Sequence, residues 1–218
     1  KDALASATNI NAGLMRFSDH GGPILYPTTN IDQSIDAQLS SSTNASANDG
    51  YEISSSVYTN TDEIILSFST SPVTSAFRFE DLNIPRGATI TSAYLKFTSA
   101  QYNIASTNIT IAGELTGDSS ALTSASGSIS GKMQTAAVVD WSVDNDFPSD
   151  GNDVSSPDIT PVIQEIIDQS SWCGNNALTV LINGEGTSTS SNRRVMAYDD
   201  GTGTAPQLVI SYDQTSAT

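Results

Sequence analysis

The sequence predicts an all-β chain: an antiparallel two-sheet, jelly-roll-like sandwich with one short helix near residues 160–169. Three observations point there. Ser and Thr together exceed a quarter of the 218 residues, while charged side chains make up only 15%, and Ser, Thr and Gly are mediocre helix formers. Short runs of alternating apolar and polar residues recur between clusters of Gly, Asn, Asp and Ser, the pattern of strands joined by polar turns. Only one segment has a helical period. Hydrophobic residues at 37% and aromatics at 7% are low, yet above the range of disordered chains.

Residues 1–32 read as an extension apart from the sandwich, which is placed at 33–218. Leu4, Ile10 and Leu14 share one parity of an extended strand, and Phe17 breaks that parity. Gly21-Gly22-Pro23 and Pro27 then interrupt the chain before an apolar restart at Ile31 and Ile35. Ser40–Gly50 has the composition of a loop. Strands follow. Glu63–Ser69 sets Ile64, Leu66 and Phe68 against Ile65, Ser67 and Ser69, and Phe77 and Phe79 face away from Arg78. In Thr91–Ser99, Ala93, Leu95 and Phe97 share one face. Asn108–Gly113, Ala177–Asn183, Arg193–Tyr198 and Gln207–Tyr212 continue the series. For the helix, Thr160 is the expected N-cap and Pro161 the first helical residue. Val162, Ile163, Ile166 and Ile167 then form one apolar face, with Trp172 closing the contact. Pro85-Arg86-Gly87 reads as a tight turn.

Several separated motifs resemble one family. Phe77-Arg78-Phe79 is followed by Leu82-Asn83-Ile84-Pro85-Arg86-Gly87-Ala88-Thr89-Ile90-Thr91-Ser92-Ala93-Tyr94-Leu95. Downstream stand Ile109-Thr110-Ile111-Ala112-Gly113-Glu114, then Trp141, then Ile159-Thr160-Pro161-Val162-Ile163-Gln164-Glu165-Ile166. Trp172, Asn176-Ala177-Leu178 and Ala205-Pro206-Gln207-Leu208-Val209-Ile210-Ser211-Tyr212 complete the order. Together these resemble the DNRLRE-type extracellular β-sandwich family of bacterial and archaeal surface proteins, over roughly residues 33–213. The resemblance implies a jelly-roll-like module of a secreted or surface protein, in a family some of whose members bind acidic polysaccharides. Fold alone does not decide between those roles.

Composition excludes several functions. With 8 basic against 24 acidic residues the formal charge is −16, a field that repels nucleic-acid phosphates. No apolar run approaches the length of a transmembrane helix, so no membrane insertion is expected. A start at Lys1 reads as a processed chain. The one cysteine, Cys173, can form no intrachain disulfide and is expected to be a buried small hydrophobe. The one histidine, His20, lies in the extension, so a Ser-His or Cys-His nucleophile pair has no base in the sandwich. No phosphate loop or dinucleotide fingerprint is present. An enzyme is not expected.

The acidic loops carry the main polar signal. Asp144, Asp146, Asp150 and Asp153 crowd one stretch rich in Gly, Ser and Pro, and Asp199-Asp200-Gly201 follows a strand. Hard oxygens on flexible loops suit calcium, which takes about six to eight of them. A calcium cofactor is therefore expected at these residues. Tyr51, Tyr58, Tyr94, Tyr102 and Trp141 offer an alternative role as a sugar platform, though each fits equally as sandwich edge or core. Arg193-Arg194 is read as an offset to the nearby aspartates. The leading expectation is a non-catalytic, extracellular or cell-surface structural protein whose partners are copies of itself. Leu4, Ile10, Leu14 and Phe17 would anchor one subunit in the next as a donor strand, building a filament or matrix. The alternative is a secreted carbohydrate-binding module with a polysaccharide partner.

Overall fold

A computed structural model describes residues 15–17, 23–25, 36–69, 71–101, 105–143, 147, 151–185 and 191–213. The chain divides between Ile35 and Asp36 into two units. In the first, Met15–Phe17 (β1) and Pro23–Leu25 (β2) pair antiparallel, with Met15 opposite Leu25 and Phe17 opposite Pro23.

The second unit is the sandwich. Its strands are Asp36–Ser42 (β3), Asp49–Ile53 (β4), Ser56–Tyr58 (β5), Glu63–Ser67 (β6), Val73–Leu82 (β7) and Thr89–Thr98 (β8). Thr107–Gly113 (β9), Val139–Val143 (β10) and Asp153–Ser155 (β11) follow, then the helix Thr160–Ile167 (α1). Asn176–Gly184 (β12), Arg193–Met196 (β13) and Gln207–Asp213 (β14) complete the series. One sheet has the order β10-β9-β12-β7-β4-β5 and the other β11-β8-β14-β3, while β13 and β6 form a short pair beside them. All pairings are antiparallel.

Alternation decides what lies between the sheets. Phe77 and Phe79 on β7, and Ala93, Leu95 and Phe97 on β8, are fully buried as their parity requires. The Phe77 and Phe97 rings meet across the layer at 5.1 Å between centroids. Ile64, Ile65 and Leu66 are all buried, so β6 is covered on both faces and its alternation has no exposed partner. The helix packs its four apolar residues, Val162, Ile163, Ile166 and Ile167, against the core. Gln164 ties it to β8, accepting from Ile90 N–H at 2.8 Å and donating to Ala88 O at 3.1 Å. Trp172 is buried, and its Nε1 donates to Ile84 O at 2.9 Å.

The helix start differs from the expectation. Ile159 holds the N-cap position without a side-chain bond, and Thr160 is already helical. Asp158 accounts for it: its Oδ1 accepts from Thr160 N–H at 2.8 Å and from Thr160 Oγ1 at 2.5 Å, so the hydroxyl is engaged outside the helix. In the turn after β7, Ala88 N–H closes on Pro85 O at 3.1 Å. Pro85 is therefore the first turn residue, and Gly87 supplies the left-handed conformation with φ of 74°.

The stretch from Leu115 to Val138 contains no named strand or helix. It nevertheless covers the outer face of the six-stranded sheet, where Leu122 and Ile129 pack against Ala76 and Leu181.

Candidate functional site

Two turns meet at one end of the sandwich. The first joins β3 to β4. Asn48 N–H donates to Ala45 O at 2.9 Å, and Asn48 Nδ2 donates to Asn44 Oδ1 at 2.6 Å, closing the turn on itself. Asp49 opens β4 directly opposite Phe77. Cross-strand partners share a face, so the carboxylate points to the core side and is only 1% exposed. Its Oδ2 accepts from Thr43 Oγ1 at 3.0 Å and from Tyr198 N–H at 2.8 Å. Its Oδ1 is buried with no hydrogen-bond partner.

The second turn is the 3-10 segment Tyr198–Asp200, which ends at Gly201 with φ of 70°. Asp199 Oδ1 accepts from Ser46 Oγ of the first turn at 2.6 Å, and its Oδ2 is likewise buried without a partner. Each carboxylate is thus held by a donor from the opposite turn and keeps one bare oxygen. Asp200 behaves differently. Its Oδ1 accepts from Thr202 N–H at 2.7 Å and its Oδ2 from Thr202 Oγ1 at 2.9 Å. Thr204 Oγ1 also donates to that Oδ2. Both Asp200 oxygens are spent on shaping their own turn.

The electrostatics follow the geometry. Burial pushes the Asp49 carboxyl up to about 6 against the pull of the Tyr198 and Thr43 bonds, and the charges of Asp199 and Asp200 push it the same way. Burial also raises Asp200, but the Thr204 and Thr202 bonds outweigh it and hold that carboxyl below its ordinary range. Asp49 and Asp199 thus each keep one buried oxygen open to a further donor or to a cation.

The other expected residues are placed as follows. Asp199 and Asp200 come together, and Asp49 joins them. Composition alone does not mark Asp49, because Ser40–Gly50 has the Ser, Asn and Ala content of a loop. The usable signal was parity, since Asp49, Tyr51 and Ile53 alternate and set an acid in line with two apolar residues. Asp153 opens β11 opposite Thr98 and is exposed beside a groove of about 240 Å³ lined by Lys96, Thr98, Thr204 and Gln207. Asp144, Asp146 and Asp150 lie outside the described residues, as do Leu4, Ile10, Leu14, His20 and Tyr102. Phe17 ends β1. Among the described residues, no three His, Cys, Asp or Glu side chains gather into a metal-holding group by themselves.

Of the readings open for Trp141, the core is the one observed, at 3% exposure and stacked 6.4 Å from Phe97. Two expectations are corrected. Cys173 is exposed, because the chain turns away after Trp172 has filled the core. The Arg193-Arg194 pair is split by strand alternation: Arg194 Nη1 bonds Glu63 Oε2 at 2.9 Å near the surface. Arg193 is fully buried, donating to Asn192 O at 3.0 Å and Val143 O at 3.2 Å, with its guanidinium 5.6 Å from the Phe147 ring centroid.

Among the described residues, no helix is long and apolar enough to cross a membrane. No family model and no curated protein matches this sequence. Among solved structures, the enzymatically active domain of tailspike protein 4 of bacteriophage CBA120 is similar over 74% of this chain, at 9% identity and a TM-score of 0.30. The chain spans only 18% of that protein's length.

Proposed function

We propose that this is a non-catalytic extracellular structural protein whose copies join head to tail, the N-terminal strand of one adding to an open sheet edge of the next. The observation that carries this reading is β3. It pairs with β14 along all of Asp36–Ser42 without a register shift, and among the described residues nothing pairs on its other side. The remaining edges of the two main sheets are shorter: β5 and β11 have 3 residues each and β10 has 5. Proteins usually blunt a long edge with Lys, Pro or a bulge, and β3 has none of these. Ala37 and Leu39 rest half-buried on the core while Gln38 and Ser40 face solvent. A strand laid beside β3 would gain backbone hydrogen bonds and cover the apolar flank of Ala37 and Leu39.

Leu4, Ile10 and Leu14 supply a matching donor, because even spacing sets them on one face of an extended strand. Fully burying each is worth roughly 1.5–3 kcal/mol before ordering costs. A head-to-tail contact need not close, so it propagates into a filament. Two variants test both halves of the contact. I10D/L14D removes the donor face, and L39K places an inward charge on the acceptor edge. Each is expected to retain the wild-type circular dichroism spectrum and to lose assembly in size-exclusion chromatography and negative-stain microscopy. Normal polymers from either variant would overturn the reading.

A secreted carbohydrate-binding module is the second reading. Its support is the Tyr51–Tyr58 pair, stacked at 4.9 Å with Tyr58 42% exposed, an apolar face with polar tips of the kind sugars meet. A glycan array with Y58A as the comparison tests it.

A further inference from the structure

We infer that the seam between the β3–β4 turn and the Tyr198–Asp200 turn is a calcium site to which Asp49 and Asp199 each contribute one carboxylate oxygen. The starting point is the pair of bare oxygens. Buried acceptors are almost always satisfied, and a buried carboxylate oxygen without a donor is costly. Asp49 Oδ1 and Asp199 Oδ2 are both buried and both without one. Their sister oxygens are fixed by donors that cross the seam, Tyr198 N–H onto Asp49 and Ser46 Oγ onto Asp199. The protein therefore spends hydrogen bonds on drawing together two groups that repel each other.

A proton would answer only part of this. Protonation of Asp49 would remove one charge of the pair and leave Asp199 Oδ2 bare. A cation satisfies both oxygens at once and reverses the repulsion. The donor chemistry selects its class. The side chains that meet across the seam at these carboxylates, from Asp, Ser and Thr, offer hard oxygens, which suit calcium or magnesium rather than zinc or copper. Calcium accepts the irregular shell that two turns provide, whereas magnesium demands near-octahedral geometry and gives up its waters reluctantly. With two carboxylates, the remaining positions fall to neutral oxygens of the turns and to water. A shell with so few charges belongs with extracellular modules, at Kd of about 10⁻⁴–10⁻³ M. The proposed shell takes its carboxylate oxygens from Asp49 and Asp199, because both Asp200 oxygens already accept within their own turn.

The experiment titrates calcium into the metal-free full chain by calorimetry and follows thermal melting at constant ionic strength. Wild type is expected to bind with a stoichiometric heat at this seam and to melt roughly 5–10 °C higher at a hundredfold excess over Kd. D49N and D199N should each bind at least about tenfold weaker and lose that rise. Without calcium, D49N should melt no lower than wild type. Its amide oxygen still accepts from Thr43 and Tyr198, and the repulsion is gone. D153N, outside the seam, should match wild type. I10D/L14D should bind calcium as wild type does, which separates this site from the assembly reading. The inference is overturned if wild type neither binds nor shifts, if D49N and D199N keep the full shift, or if equal magnesium gives the same rise.

Discussion

Glu52 does in the β4–β5 hairpin what Asp49 cannot do three residues earlier. It is 4% exposed, yet its two oxygens accept from Gly127 N–H at 2.7 Å, Ser130 N–H at 2.9 Å and Ile129 N–H at 3.2 Å. Burial pushes its carboxyl up, but the bonds from Ser130, Gly127 and Ile129 outweigh that and hold it below its ordinary value. A carboxyl depressed in the folded state contributes stability that is present above the unfolded value and lost as pH falls through the folded one. E52A leaves several amides without their acceptor and is expected to cost about 1–3 kcal/mol at pH 7. Denaturant melts should show the gap between E52A and wild type narrowing once the pH drops below about 4.5. A gap of constant size from pH 7 to 3 would reject the role. Neither carboxylate was legible as special in the sequence. Phe77, Phe79, Leu95 and Phe97 were, because a period of two marks what is inside and says nothing of which acids have partners.

At the level of elements, strand and helix faces were readable where burial is one-sided. The α1 stripe of Val162, Ile163, Ile166 and Ile167 was visible, while its cap was not, because the Thr160 hydroxyl is taken by Asp158. β3 was missed as a strand since an edge buries only half of one face, and its Ser-rich second half carries no alternation. What seats α1 is a glycine. A Cβ on Gly113 would lie 2.5 Å from Ile166 Cδ1 and 3.1 Å from Val162 Cγ1, so the side chains of α1 settle onto β9 in the space that this glycine leaves open. Because the contacting atoms are side-chain tips, G113A is expected to be mild. G113V should cost about 1–3 kcal/mol through overpacking, with a lower melting temperature and an unchanged strand signal. Equal melting of G113V and wild type would show that the helix shifts freely.

For the whole molecule, the two-sheet architecture followed from composition and strand spacing, but the 115–138 excursion over the outer face did not. Its anchors are long-range, Glu52 to Gly127 and Leu122 to Ala76, and no local pattern announces them. One further property concerns mechanical load. β3 and β14 bring the first and last strands of the sandwich side by side, with Asp36 opposite Asp213. The two places where the sandwich hands force to the rest of a chain are therefore neighbours on one sheet. Tension applied there peels β3 from β14 one residue pair after another, instead of shearing the whole ladder at once. Pulled between Asp36 and Asp213, the sandwich is expected to open at low force from that corner. When the sandwich is anchored at Asp36 and drawn along the β3 axis from a neighbour's strand on the open edge, the load instead shears the β3–neighbour ladder lengthwise and should be held far longer. Single-molecule stretching with the two attachment geometries would measure that ratio, and equal forces in both would refute it.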